Sequence, residues 1–487
     1  MSILLISVLM LSYFLLLLIV SRLVSGKESS NEAYFTGNHR APWMAVAYGM
    51  IGTLLSGVTF MSVPGYVRQS QFTYLGVVAG NFIGFLIIAL ILIPLYYRLH
   101  LTSIYSYLGE KFGARTQTTG AFLFMLSRLI GSALRLYIVV FILYESAFKE
   151  SGLPFWVLAA IILFLILLYT FRGGIKTVVW TDVLQTTCML LAIAGILYLL
   201  KTGLGSSFSE AFRKAGAAGK MRIYDSDWRS ATFFWKQLAS GICLTITMTG
   251  LDQDMMQKNL SCRNARESQK NMSITATLFV LINALFLGLG ILLLAYAENN
   301  HIVLPQKSDA IFSTIALSAG SFSSVLFMLG LVAAGYSSAD GTIAALTTSF
   351  CVDVIGFEKR KDLSEEKKIR LRKIMHVIFT TCFFIIIVGF RPFHSDALIA
   401  TIFMIAGYTY GPLLALFCFG MLMKNRRVYD KAVPFISVIS PVASYLINRY
   451  SKELLFGYTF GFEILLLNAL LAFAGLYIFS RKKSSGD

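Results

Sequence analysis

Three polar side chains interrupt an apolar stretch in the second half of the chain, residues 331–353. Ser337, Ser338 and Asp340 lie at its centre, and an ionisable residue at membrane depth is a functional hypothesis by default, because burying it is costly. A helical period of 3.6 residues places four residues on one face: Ala334, Ser337, Ser338 and Gly341. This face offers the hydroxyl oxygens and close backbone approach that a small hard cation such as Na⁺ needs. It also suits a packing seam between two membrane helices, with the hydroxyls bonded back to carbonyls.

Two arginines lie near the middle of another apolar run, 116–146. Arg128 and Arg135 are seven residues apart, so they share one helical face. Guanidinium groups at this depth must meet a cavity or counter-charges. We therefore expect either pairing with carboxylates such as Asp340 or Asp182, or a bidentate contact to an anionic solute, made by Arg135 in particular.

The composition indicates a polytopic membrane protein. Of 487 residues, 56% are hydrophobic and only 14% are charged, with a mean hydropathy of +0.71, whereas soluble chains carry about 25% charged residues. The six cysteines show no CxxC spacing and the five histidines are scattered, so neither disulfides nor a metal centre is predicted. No base is paired with a nucleophile, which disfavours an enzyme, and no organic cofactor is expected.

Thirteen apolar runs are long enough to span a bilayer. They cover residues 3–24, 43–65, 75–97, 116–146, 153–171, 177–200, 231–256, 271–297, 320–352, 371–390, 395–422, 430–448 and 459–480. With the N-terminus outside and the C-terminus in the cytoplasm, the inner loops contain 27 of the 42 Lys and Arg residues. The positive-inside rule favours this orientation. The net charge of +17 therefore indicates topology, not nucleic-acid binding, and Lys258 and the segment 356–373 are expected in solvated cytoplasmic loops.

Two sets of five spans, 43–200 and 231–422, divide most of the chain. An odd number of spans per unit makes the second unit run opposite to the first, which is the inverted repeat of secondary transporters. Glycine, proline and hydroxyl residues interrupt the first span of each unit and predict broken helices there. We expect one membrane domain over 1–487, with an extra N-terminal helix at 3–24 and two C-terminal helices in 430–480.

At these residues the chain resembles the sodium:solute symporter family, whose members share the leucine-transporter fold. The motifs are TLLSGVTFMSVPG, LIPLYYRLHLTSIYSYLGEKFG, GGIKTVVWTDVLQ, DQDMMQKNLSCRNARESQKN, AAGYSSADG and AGYTYGPLLALFCFGML. The resemblance implies Na⁺-driven uptake of a small solute by alternating access. It also implies a sodium site with five oxygen ligands. These are the carbonyls of Gly52, Leu55 and Ala334 and the hydroxyls of Ser337 and Ser338.

Asp182 matches an aspartate that the family has near this site. It is expected to attract the cation or to act in a second cation site, unless it only caps or pairs a helix end. Asp340 and Gly341 stand where members that bind a second Na⁺ have small hydroxyl residues. Asp340 is therefore expected to strengthen a second cation site with Asp182, to hold a proton, or to pair with a basic side chain elsewhere.

The expected solute site lies beside the broken helix of the first repeat. Ser56 and Thr59 would face a midplane cavity, and Asn81 would contact the solute or serve helix packing. Together with Arg135 and Arg128, they favour an organic anion, since some family members transport sialic acids or monocarboxylates. A neutral sugar, amino acid or vitamin, proton coupling and, less so, a membrane enzyme stay open. We expect a multi-pass protein of the cell membrane, a bacterial inner membrane, with Na⁺, a small solute and lipid as partners; the sequence indicates no oligomeric state.

Overall fold

The computed structural model describes residues 3–25, 30–360, 362–393 and 398–482, and it is mostly helical. The helices of the first half are α1 (Ile3–Ser25), α2 (Asn31–Thr36), α3 (Trp43–Leu54), α4 (Gly57–Ser70), α5 (Leu75–Ile87), α6 (Ile93–Arg98), α7 (Ser106–Lys111), α8 (Ala114–Leu143) and α9 (Phe155–Gly203). Those of the second half are α10 (Phe208–Ala217), α11 (Phe234–Thr245), α12 (Gln253–Leu260), α13 (Ala265–Asn299), α14 (Ile311–Ser318), α15 (Ser321–Ser349), α16 (Glu365–Phe390), α17 (Leu398–Leu422), α18 (Val433–Arg449), α19 (Ser451–Leu454) and α20 (Ile464–Ile478). Short π-helical segments continue α5, α8, α11 and α15 at Ile88–Leu92, Tyr144–Phe148, Ile246–Gly250 and Phe350–Val354.

The helices confirm a multi-pass membrane protein. Within the described ranges, eight helices are long and apolar enough to cross a membrane, and the bent pair α3 and α4 makes a ninth. Two further apolar helices, Phe155–Phe171 and Ile464–Ile478, are shorter. The count of thirteen spans and the outside N-terminus stay predictions.

Three helices are broken where the sequence departs from a regular helical composition. The axes on either side of Leu55 and Ser56 differ by 54°. The long helix α9 contains a break at Gly174, whose φ of 53° is left-handed and suits a residue without a β carbon. α11 gives way to a π-helical turn and then to α12 after Leu251. The first and third breaks lie in the two segments for which glycine and hydroxyl residues predict interruption.

Helix α15 lies at the centre of the molecule. Every residue from Gly330 to Ser349 is buried, and α15 packs against α9, α8, α16, α4 and α3. The many Ala, Gly and Ser residues of this helix let neighbouring backbones approach closely, and serine and threonine hydroxyls can bond across the interfaces. The helix therefore holds its polar centre, residues 337–342, in a fixed position relative to these five neighbours.

Two expectations need correction. The protein is not wholly α-helical, because β1 (Arg426–Val428) and β2 (Ser480–Lys482) form a small antiparallel sheet. The segment 356–373 is not a solvated loop throughout, because α16 begins at Glu365 and Arg372 is buried. The Arg372 guanidinium lies 4.3 Å from the centre of the Tyr34 ring and donates to the Asn31 side chain. Docking of α2 thus buries a cation that the charge pattern places in water.

Candidate functional site

The serine face of α15 meets two other helices in the interior. Ser337 Oγ donates to Asp182 Oδ1 at 2.7 Å. Ser132 Oγ on α8 donates to the Ser338 carbonyl at 2.6 Å and lies 3.3 Å from Ser338 Oγ. Ser337 and Ser338 are almost fully buried. The hydroxyls of this face therefore bond to a carboxylate and to a second helix, an arrangement that suits both a cation site and a packing seam.

The broken helix lies against this face. α3 ends at Leu54, and Leu55 and Ser56 depart from helical geometry before α4 begins. The last carbonyls of a helix lack intrahelical partners, so the break exposes acceptors beside Leu55. A β carbon on Gly52 would lie 3.5 Å from Ser337 Oγ, which places the Gly52 backbone directly against the serine face.

The expected ligand set for Na⁺ stays a prediction, and the structure shows where its members lie. Five residues make up what we call the sodium set: Gly52, Leu55, Ala334, Ser337 and Ser338. All five are buried, and they come from the broken helix and from one face of α15. Hydroxyl and carbonyl oxygens are the ligands that hard cations prefer. The set can supply them without a carboxylate of its own.

Asp182 has a partner that the sequence did not predict. Lys258 Nζ lies 2.8 Å from Asp182 Oδ2 and donates to Thr53 Oγ1 at 2.7 Å. The expectation that Lys258 lies in a cytoplasmic loop is wrong, because its side chain is only 1% exposed. Helix α12 turns back into the core after the break at Leu251 and brings the ammonium to Asp182. A run of charged residues after an apolar span resembles a loop in sequence, so the sequence pattern does not reveal that Lys258 is buried.

Asp340 is held by neutral groups. Its Oδ2 accepts from the Tyr169 hydroxyl at 2.9 Å and from Gln185 Nε2 at 3.1 Å. Within the described ranges, no Lys or Arg forms an ion pair with Asp340. Tyr169 and Gln185 both belong to α9, which also carries Asp182. Asp340 is thus hydrogen-bonded to the helix that carries Asp182. A shared role of the two aspartates in a second cation site stays a prediction.

Arg128 pairs with two aspartates, although not with those expected. Its Nη2 donates to Asp254 Oδ2 at 2.7 Å, and its Nε lies 3.5 Å from Asp252 Oδ2. Asp340 and Asp182 are therefore not its partners. The Tyr410 hydroxyl also donates to Asp252, at 2.6 Å. Asp252 and Asp254 belong to the DQD motif. The sequence identifies this motif as similar to the family but does not predict that its aspartates pair with Arg128.

Buried charges of alternating sign connect Arg128 with the sodium set. Asp254 Oδ1 lies 3.6 Å from Lys258 Nζ, so a continuous row runs through four side chains, which we call the charge chain: Arg128, Asp254, Lys258 and Asp182. The row ends at Ser337 through Asp182. Buried ion pairs are strongly destabilised when one partner is removed. The charge chain therefore fixes α8, α12, α9 and α15 relative to one another.

A cavity lies at the other end of the charge chain. The empty space in and around it, open mouth included, is about 740 Å³. It is lined by residues that include Ser56, Thr59, Asn81, Arg128 and Arg135. The structure thus brings together all five residues expected to contact the solute. Thr53, which accepts from Lys258, lines the same cavity.

The two arginines differ in their partners. Whereas Arg128 is held by Asp252 and Asp254, no residue of the described part of the chain forms an ion pair or hydrogen bond with the Arg135 guanidinium. Arg135 is 9% exposed, and this exposure is to the cavity that it lines. An arginine in this position can bind an anionic group from the cavity through two parallel N–H donors.

Asn81 contributes to helix packing as well as to the cavity. Its amide faces α11, where the oxygen accepts from Thr245 Oγ1 at 3.0 Å. With the amide turned, its nitrogen donates to the Gly241 carbonyl at 2.9 Å instead. Gly80 and Gly241 stand at this α5–α11 contact, where a β carbon on either would collide with the facing backbone. Both expectations for Asn81, solute contact and packing, are therefore compatible with its position.

Comparison with known proteins places the chain among sodium-coupled transporters. A solved structure of a Na⁺-coupled sialic acid symporter, in a substrate-bound outward-open state, has the same fold, with a TM-score of 0.83 and 22% identity over 97% of this chain and 96% of that one. The sodium/sialic acid symporter SiaT of Proteus mirabilis is 24% identical over 91% of this chain and 89% of its own length. The symporter NanT of Aliivibrio fischeri, also sodium/sialic acid, is 24% identical over 88% of this chain and 85% of its own length.

The family assignment follows from the extent of the match. The model of the sodium:solute symporter family matches residues 34–429, a range that contains the sodium set, the charge chain and every cavity residue named above. The family consists of transporters rather than enzymes, with Na⁺ as the coupling ion. This chain therefore belongs to the sodium:solute symporter family.

Proposed function

We propose that the protein imports a small organic anion, of the sialic acid or monocarboxylate kind, together with Na⁺. The observation that supports this proposal is Arg135, a cavity-lining guanidinium that forms no ion pair with any described residue. A carboxylate bound there would receive two charge-assisted hydrogen bonds. The similarity to sodium/sialic acid symporters supports the same solute class.

The neutral groups of the cavity favour a hydroxylated anion within this class. Ser56 and Thr59 add hydroxyls and Asn81 adds an amide to the wall that contains Arg135. Such groups can bond the hydroxyl and amide substituents of an acidic sugar, whereas a short monocarboxylate would leave them unused. A neutral sugar, amino acid or vitamin would in turn leave Arg135 without a counter-charge, and we rank it second.

The sodium set and the cavity share the broken helix, and this supports coupling by alternating access. Gly52 and Leu55 belong to the sodium set, while Ser56 and Thr59 line the cavity. A ligand at either place therefore biases the same element, and two ligands that favour one conformation assist each other. We propose that loss of Na⁺ from the opened inner side lowers solute affinity and releases the solute inward.

The membrane arrangement completes the proposal. We propose thirteen spans in a 5+5 inverted repeat, 43–200 and 231–422, with the N-terminus outside and the C-terminus in the cytoplasm of a bacterial inner membrane. The distribution of Lys and Arg supports this orientation. A second cation site at Asp182 and Asp340 stays an expectation: Asp182 matches the aspartate of the family, whereas Asp340 departs from the family pattern.

Uptake into proteoliposomes tests the function. The purified protein is reconstituted and given an inward Na⁺ gradient, an inward H⁺ gradient or K⁺ alone, with N-acetylneuraminate, lactate, glucose and proline as labelled solutes. We expect accumulation of N-acetylneuraminate above equilibrium with Na⁺ only. Uptake that follows H⁺ and ignores Na⁺ contradicts the coupling, and preference for glucose or proline contradicts the anionic solute.

A further inference from the structure

We propose that the Lys258 ammonium occupies the place of a second coupling cation beside Asp182, so that one Na⁺ accompanies each solute molecule. This inference rests on the proposed Na⁺-coupled uptake and specifies its stoichiometry. Lys258 is thereby a residue that determines the number of ions per cycle, a role distinct from binding the solute.

The ammonium has oxygen partners of the kind that a bound cation would have. Lys258 Nζ lies 2.7 Å from Thr53 Oγ1, 2.8 Å from Asp182 Oδ2 and 3.6 Å from Asp254 Oδ1. Its side chain is 1% exposed, and those of Asp182 and Asp254 are 1% and 0% exposed. The cation is thus held between two carboxylates in the interior, and it is supplied by the chain itself.

The backbone of α15 leaves room for this ammonium at Gly341. A β carbon at this position would lie 3.0 Å from Lys258 Nζ and 2.5 Å from Asp254 Oδ1. Any other residue would therefore have to displace the ion pair between Lys258 and Asp254. Gly341 follows Asp340 directly. The need to fit the ion pair between Lys258 and Asp254 explains why a glycine stands at this position.

Asp182 divides its two oxygens between the ammonium and the sodium set. Oδ2 meets Lys258 Nζ, while Oδ1 accepts from Ser337 Oγ. A second Na⁺ at Asp182 would face the fixed positive charge at short range, where the repulsion is weakly screened because the site is buried. The first ion is different, because the sodium set approaches from the Ser337 side with neutral oxygens.

A direct count of bound Na⁺ tests the proposal without any solute. ²²Na⁺ binding to the purified, detergent-solubilised protein is measured to saturation at constant ionic strength, with choline as the replacing cation. We expect one Na⁺ per unaltered chain and a Hill coefficient near one. Two ions per unaltered chain overturn the proposal, whereas no saturable binding overturns the proposed function itself, so the two failures are distinguishable.

Variants of Lys258 provide the second measurement. Lys258→Met frees Asp182 and Asp254, and we expect two bound Na⁺ per chain, with a Hill coefficient rising toward two. Lys258→Arg keeps a positive charge and is expected to bind one. Lys236→Met is the matched control, because Lys236 lies over the Tyr458 ring at the far end of α11 and its loss should leave the count at one. An unchanged count of one in Lys258→Met overturns the proposal.

Membrane voltage gives a readout that does not depend on a folded Lys258→Met variant. One Na⁺ and one monovalent anion move no net charge. With N-acetylneuraminate as the probe and valinomycin with K⁺ to set the voltage, Na⁺-driven uptake by the unaltered chain should change less than twofold between 0 and about −100 mV. A marked acceleration by inside-negative voltage indicates a second ion and overturns the proposal.

Discussion

Ser337 and Ser338 are the residues at which ion binding can be separated from packing. The Ser337 hydroxyl donates a hydrogen bond to Asp182. Its oxygen lone pairs therefore stay available to a cation beside Gly52. We predict that Ser337→Ala with Ser338→Ala raises the Na⁺ concentration for half-maximal uptake at least tenfold, which is about 1.4 kcal/mol. The maximal rate at saturating Na⁺ should change less. The measurement is solute uptake as a function of Na⁺ concentration.

The matched control is Ser324→Ala, on the same helix but bonded to the carbonyls of Gly320 and Leu317 at its beginning. This variant should keep the Na⁺ dependence of the unaltered chain. If the double variant behaves like Ser324→Ala, the serine face is only a packing seam and the sodium set is wrongly assigned.

We expect neutralisation of Arg128 to lower the stability of the protein, and neutralisation of Arg135 to weaken its affinity for the solute. Arg128→Gln leaves Asp252 and Asp254 buried without this cation, and breaking a buried pair costs about 3–5 kcal/mol. Arg135→Gln removes a charge that has no ion pair in the described structure, so we predict little loss of thermal stability but at least a tenfold weaker affinity for N-acetylneuraminate. Thermal unfolding in detergent and equilibrium binding measure the two effects. Equal destabilisation of both variants would contradict a free solute-binding role for Arg135.

The sequence predicted those site residues whose type is unusual for their surroundings. Ser56, Thr59 and the two arginines are polar within apolar runs, and the structure brings them to one cavity. It failed at Lys258, which lies in a charged segment that periodicity cannot distinguish from a loop. Asp340 illustrates a third case, because its polarity was evident but its neutral partners, Tyr169 and Gln185, depend on how α9 packs.

At the scale of helices, α2 depends on the break in α9. A β carbon on Gly174 would lie 2.5 Å from the Tyr34 carbonyl oxygen, and its φ is +53°, so both the backbone and the space require glycine. We predict that Gly174→Ala lowers the stability by about 1–3 kcal/mol and loosens α2 from α9. Thermal unfolding checks the first effect, and protease sensitivity near Tyr34 checks the second.

Gly131→Ala on α8 is the matched control, because a β carbon at Gly131 would meet nothing within 4 Å. Its stability should not fall, since alanine favours a helix over glycine. If Gly174→Ala and Gly131→Ala had equal thermal stability and protease sensitivity, a side chain at position 174 would not disturb the contact between α2 and α9.

The sequence predicts helices more readily than the contacts between them. Apolar length identified the long spans, and glycine and hydroxyl residues located the breaks beside Leu55 and Leu251. The buried Arg372 could not be foreseen, because it requires α2 to fold back over α16. The length of a span is a property of local sequence, whereas docking of a short helix depends on residues that are more than three hundred positions away.

At the scale of the whole molecule, Thr53 stands where the ion and solute regions meet. Its hydroxyl accepts from Lys258, lies 3.2 Å from Ser337 Oγ and belongs to a residue that lines the cavity. Coupling between two ligands is reciprocal, so Na⁺ must tighten solute binding by the same factor by which the solute tightens Na⁺ binding. A residue in contact with both regions is the place to change that factor.

We predict that Thr53→Val reduces the coupling factor, because valine keeps the shape but removes the hydroxyl between Lys258 and Ser337. For the unaltered chain, calorimetric titration of N-acetylneuraminate with and without Na⁺ should give a factor of about 5–150. Thr59→Val is the control, since Thr59 lines the cavity without a described contact to the sodium set. It should weaken solute binding equally with Na⁺ and with choline. A coupling factor that falls in Thr59→Val and survives in Thr53→Val would show that coupling runs through the solute-facing half of the broken helix rather than through Thr53.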